Sequence, residues 1–168
     1  MHGVDGHFTV AATTTSPYSV LGSGTVNFPG YRGTMTGYTP ANPASTTSTT
    51  LVMAGLALPY TPAVSGIVRV QLVGGGKTAT AAAGISIGLR YGTGTAPANG
   101  DAVTGTSFGD GQYFGAPSTA FNAQFALNGI ISGLTPGTPV WVDVAFDTAN
   151  SSDAASLANL SAIIEEVS

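Results

Sequence analysis

From Leu51 onward apolar and polar residues alternate with a period of two, and no other feature limits the possible folds of this chain so sharply. That period places successive side chains on opposite faces of a strand. In residues 67–73, Val68, Val70 and Leu72 share one face, while Arg69 and Gln71 share the other with Ile67 and Val73. Ile85, Ile87, Leu89 and Tyr91 repeat the pattern against Ser86, Gly88 and Arg90. Phe121, Ala123, Phe125 and Leu127 alternate with Asn122, Gln124 and Asn128. Val140, Val142, Val144 and Phe146 then form a stripe opposite Trp141, Asp143 and Asp147, the clearest strand in the sequence.

Glycine and proline punctuate these runs. Gly74-Gly75-Gly76 reads as a tight turn, because glycine takes positive φ without steric cost, and this makes a hairpin of residues 67–73 and 85–91. Residues 92–111, rich in Gly, Ala, Pro, Asn and Asp, read as a long loop with room for a short strand at 102–106. In Gly133-Leu134-Thr135-Pro136-Gly137-Thr138 the Pro and Gly are spaced for a type II turn. The C-terminal run, 154–167, is ambiguous: its Ala, Leu and Glu favour helix, but Ala158, Leu160, Ala162 and Ile164 alternate with Asn159, Ser161, Ile163 and Glu165. We read it as strand. Residues 1–50 have a different character, with Ser/Thr/Pro-rich stretches at 11–17 and 42–50, and 1–47 read as an extended arm carrying strand candidates at 7–11 and 25–28. Its aromatics, Phe8, Tyr18, Phe28, Tyr31 and Tyr38, either plug into a neighbouring subunit or cap the chain's own core. The expected architecture is all-β: an antiparallel β-sandwich of jelly-roll type over residues 48–168, of about eight strands, preceded by the extended N-terminal arm 1–47.

Composition narrows the functions open to such a fold. Only 7% of residues are charged, four basic and eight acidic, for a net charge of -4. With no basic cluster to neutralise phosphates, nucleic acid is a poor partner. A partner surface must then rely on apolar packing and neutral hydrogen bonds, which suit a permanent assembly. The absence of cysteine excludes disulfides and thiolate metal sites. Met1-His2-Gly3-Val4-Asp5-Gly6 lacks the basic and apolar regions of a signal peptide, and no stretch supplies 18 consecutive apolar residues. The expectation is therefore neither secretion targeting nor membrane association.

The short motifs do not assemble into chemistry. Gly76-Lys77-Thr78 resembles the end of a phosphate-binding loop, but Gln71 stands where the first glycine belongs, and a strand follows where a helix N-terminus is needed. Gly84-Ile85-Ser86-Ile87-Gly88 matches the nucleophile elbow as a string. That elbow requires a strand-to-helix turn and a later histidine, whereas His2 and His7 both precede Ser86. His2, His7 and Asp5 could ligate a metal, yet a structural site needs a fourth ligand. Glu165 and Glu166, adjacent on a strand, face opposite sides. Asp101 and Asp110 lie in glycine-rich turns, where Asp ordinarily bonds the local backbone. Asp143 is expected on an outward face within reach of Arg69 or Arg90, as a structural or inter-subunit contact. Trp141, on that face too, needs cover from a loop or a neighbouring subunit. The reading is a non-enzyme with no catalytic, cofactor-binding or metal-binding residues.

Ser48-Thr49-Thr50-Leu51-Val52-Met53-Ala54-Gly55-Leu56, Tyr60-Thr61-Pro62, Ser65-Gly66-Ile67-Val68-Arg69-Val70, Leu89-Arg90-Tyr91-Gly92-Thr93-Gly94-Thr95-Ala96-Pro97 and Gly133-Leu134-Thr135-Pro136-Gly137 through Trp141-Val142-Asp143 together resemble β-rich virion proteins of tailed bacteriophages. The likeness covers residues 48–147 and extends to head decoration (cement) proteins and some tail-fibre domains. It implies a jelly-roll homotrimer, made in the host cytoplasm, that sits on the capsid surface of the virion, binds the major capsid protein and stiffens the lattice. The departure is the long Thr/Pro arm, which suits a grip on neighbouring capsomers or the remnant of a fibre connection. Phe8, Tyr31, Tyr38, Phe108, Tyr113 and Trp141 are the candidate partner contacts. The alternative is a fibre-tip or receptor-binding domain whose 92–115 loop, with Phe108, Tyr113 and Phe114, meets a host glycan or protein.

Overall fold

The computed structural model describes residues 35–80, 83–115 and 122–167. These hold nine strands and no helix: β1 Met35–Tyr38, β2 Val52–Met53, β3 Leu58–Tyr60, β4 Val68–Thr78, β5 Gly84–Gly92, β6 Thr106–Gly115, β7 Ala123–Ile131, β8 Val140–Phe146 and β9 Ala155–Glu166. They form two antiparallel sheets, ordered β1-β9-β4-β7 and β2-β8-β5-β6, with β3 also pairing β8. The first half of the chain pairs with the second in reverse order: β5 with β6, β4 with β7, β2 and β3 with β8, β1 with β9. This long hairpin is rolled on itself, so that β9 also pairs β4 and β8 also pairs β5.

Alternation sets which side chains the two sheets enclose. Val68, Val70, Leu72, Leu127, Ile131 and Ile164 come inward from the four-stranded sheet, and Ile85, Ile87, Leu89, Val142, Val144 and Phe146 meet them from the other. Burying each such side chain contributes about 1.5–3 kcal/mol relative to leaving it in water. The 135–138 turn forms as expected: Thr138 N–H donates to Thr135 O (3.1 Å) and Gly137 has φ 81°. The C-terminal run is strand β9. Asn159, at φ 55°, kinks it so that Leu157 and Leu160 both point inward. Asn is among the few residues with a side chain that visits this region routinely.

Three expectations are corrected. Gly74-Gly75-Gly76 is no turn, for β4 runs through it to Thr78. The runs 67–73 and 85–91 are not a hairpin, because β4 and β5 belong to different sheets. A Cβ on Gly74 would stand 2.6 Å from Leu160 Cδ2 and 2.9 Å from Phe125 Cζ, and one on Gly76 2.8 Å from Phe114 Cζ. The glycines are there to let large side chains cross the strand. Finally, the 92–111 loop ends early: Ala102 makes only an isolated bridge to Val52, and residues from Thr106 onward are strand β6.

The segment read as an arm enters the sheets before residue 47. β1 lies within it, and Thr46 exchanges two backbone hydrogen bonds with Ala155 (2.9 and 2.8 Å). The strand candidates 7–11 and 25–28 lie outside the described residues, as does Phe121.

Candidate functional surface

Two of the buried acids, Asp143 and Glu166, serve the backbone. Asp143 is fully buried and accepts the N–H groups of Gly55 (3.1 Å) and Leu56 (3.0 Å), holding the segment between β2 and β3 across the outer face of β8. It therefore meets neither Arg69 nor Arg90, contrary to expectation. Burial pushes its carboxyl above the ordinary range, outweighing the backbone N–H groups that favour the charge. Glu166 accepts from the N–H groups of Ala63 (2.8 Å), Val64 (2.7 Å), Ser65 and Gly66 (3.1 Å). Burial alone would raise its carboxyl, but four converging donors prevail and hold it at about 2. Glu165, on the opposite side of β9, forms an ion pair with Arg69.

No nucleophilic or metal constellation surrounds these acids among the described residues. Ser86 sits on β5 with its backbone N–H donating to Asp147 Oδ1 (3.1 Å), and no cluster of three or more His, Cys, Asp or Glu comes together. His2, Asp5 and His7 lie outside the described residues.

The candidate contacts divide by position. Tyr38 points inward from β1 and donates its phenol to Pro59 O, tying the edges of the two sheets together. Phe108 is turned into the core, edge-to-face with Tyr91 at 5.6 Å, and so is not a surface aromatic. Phe114 stacks on Phe125 at 5.8 Å. Trp141 is buried by the chain itself: its indole donates to Thr93 O (3.3 Å), and it shares a small second core with Met53 and Ala145 under Leu51, Ala96 and Val103. Tyr113 remains open, at 68% exposure. Phe8 and Tyr31 lie outside the described residues.

The two outer faces differ. Sequence from 93 to 104 covers much of the five-stranded sheet, whereas the outer face of the four-stranded sheet carries Met35, Val73, Ile130 and Ile163 bare. Register aligns them. Met35, Glu165, Arg69 and Ile130 form one row across the four strands, and Ile163 and Gln71 stand in the next with Gly37 and Asn128. Val73 follows beside Ser161 and Ala126. Arg69 with Glu165 and these apolar groups make a nearly uncharged patch, the kind of surface that marks an interface. The sequence carried the signal in Val73 and Ile163, apolar residues in the polar phase of their strands. No protein-family model matches this chain, and no curated protein matches it.

Proposed function

We propose that this chain is a virion structural protein that decorates and stabilises a bacteriophage capsid, binding capsid subunits and its own copies, as a homotrimer, on the capsid surface. The observation that carries the reading is the bare outer face of the four-stranded sheet, where Met35, Val73, Ile130 and Ile163 stand open around a single ion pair. The rolled-hairpin strand order supports a jelly-roll reading of the sandwich. The N-terminal segment would reach a neighbouring subunit or the shell. The mechanism is mass action: burying about 1,000 Å² or more per contact favours the assembled state, without catalysis.

Two measurements test this. In purified virions the protein should stain in proportion to the capsid lattice. Ile130→Glu combined with Val73→Glu should abolish capsid binding and self-association while leaving the melting temperature of the protomer within a few degrees. Undiminished binding by that variant removes the face from the mechanism. A fibre-tip reading, favoured by the exposed Tyr113 on β6, predicts only a few to some tens of copies per particle.

A further inference from the structure

On the face opposite the bare sheet, β5 and β6 leave a trough of about 330 Å³. Its layout follows from register. Arg90 stands opposite Ser107 and Ser86 opposite Tyr113, and between these two rows lie Gly88 and Gly111, which have no side chains. Two rows four residues apart on a strand are separated by about 13 Å. The trough thus has polar corners and a bare backbone floor. The string Gly84-Ile85-Ser86-Ile87-Gly88 that mimics a nucleophile elbow acquires another role here. Gly88 is the floor, and Gly84 is the seat on which the Tyr113 ring rests, since any side chain there would collide with the ring.

The corners are chemically unspent. Among the described residues the Arg90 guanidinium has no hydrogen-bond or ion-pair partner, nor do the hydroxyls of Ser86 and Ser107. Asp143, directly opposite Arg90 on β8, is turned to the backbone of Gly55 and Leu56. Asp110 is not among the residues lining the trough. A free planar guanidinium matches a carboxylate bidentately. Convergent polar groups in a shaped depression of at least about 300 Å³ are the ordinary signature of a ligand site.

We propose that this trough binds a short stretch of acidic saccharide, with a sugar carboxylate on Arg90, ring hydroxyls on Ser86 and Ser107, and the next sugar ring against the exposed face of Tyr113. A sugar ring can lie flat on the glycine floor, where a branched ligand would be held off only by the rims. An extended peptide would instead seek backbone partners at an open strand edge, and the trough lies on the face of the sheet. This inference is independent of the capsid reading, because it concerns the opposite side of the sandwich.

The test is a titration of the ¹⁵N-labelled full chain with digalacturonic acid, followed by amide shifts. The expected result is a saturable shift confined to residues 86–90 and 107–113, with a Kd on the order of millimolar. Arg90→Gln should weaken it about tenfold or more, the loss expected for a charge-assisted hydrogen bond, and Tyr113→Ala should weaken it less. Gly88→Val should abolish it with an unchanged melting temperature, since a Cβ at 88 would meet only Gly111 Cα at 3.9 Å. Equal shifts with acetate, equal binding of the methyl-esterified disaccharide, binding retained by Gly88→Val, or no saturable shift at all would each overturn the proposal.

Discussion

Asp143 and Glu166 are both acids among backbone N–H groups, and their environments push them in opposite directions. Glu166 gathers four donors from consecutive residues, 63 to 66, so its charge is better solvated by the fold than burial costs it. Asp143 also receives backbone N–H groups, among them those of Gly55, Leu56 and Val144, but there the cost of burial prevails. The signs of the stability effects differ accordingly. Glu166 has a folded value of about 2 against an ordinary 4.5. Its contribution is complete above pH 4.5 and is lost as pH falls towards 2. Glu166→Gln should cost roughly 2–3 kcal/mol at pH 7, because Gln presents an amide to donors that need acceptors. It should also flatten the acid limb between pH 4.5 and 2, which urea unfolding across that range would reveal. For Asp143, with its carboxyl raised, stability instead declines as pH rises past the ordinary carboxylate value. Asp143→Asn removes the buried charge but keeps one acceptor, so its cost at pH 7 should be about 1 kcal/mol, visibly smaller than that of Glu166→Gln in the same urea experiment. Neither role was legible in the sequence, where Asp143 simply occupied the outward phase of a strand. Its donors Gly55 and Leu56 are 88 and 87 residues away, and those of Glu166 are 100 to 103 residues away.

At the scale of elements, alternation made β5, β8 and the inward stripe of β4 readable, and Pro136-Gly137 made the turn before β8 readable. The triple glycine was not. Glycine serves equally where the chain must bend and where a neighbour must approach, and only the presence of Leu160, Phe125 and Phe114 over β4 separates the two roles. The distinction is measurable. Gly74→Ala should destabilise by about 1–3 kcal/mol through overpacking, whereas Gly88→Ala should stay within about 0.5 kcal/mol. Comparable losses for both in thermal melts would contradict the close-approach account. Asn159 makes a similar case: Asn159→Val should cost about 1–2 kcal/mol, because a β-branched residue resists its left-handed backbone, and Asn159→Gly should be nearly neutral.

For the whole molecule, the rolled hairpin joins the most distant strands. β1 pairs β9, with Met35 opposite Glu165 and Tyr38 opposite Ala162. Such non-local pairing favours slow folding, in the range of milliseconds to seconds. Among the described residues it also leaves the outer edge of β9 to the four residues of β1, to Asn42 and to the bridge from Thr46. Removal of residues 1–45 should uncover the β9 backbone, lower the melting temperature and raise light scattering on standing, as an open hydrophobic edge does. A truncated chain that melts and scatters like the full one would show that β1 is dispensable.

The sequence by itself determined that this chain would be strands, where most of them lie, and which side chains face inward, because a period of two is a local property that holds for any partner. Tertiary structure alone decided which strands pair, that Trp141 is covered by its own chain, that the acids cap distant turns, and that one outer face is left bare and the other hollowed at Gly88. Those outcomes depend on contacts between residues far apart in the chain, and a period of two carries no record of which strand lies beside which.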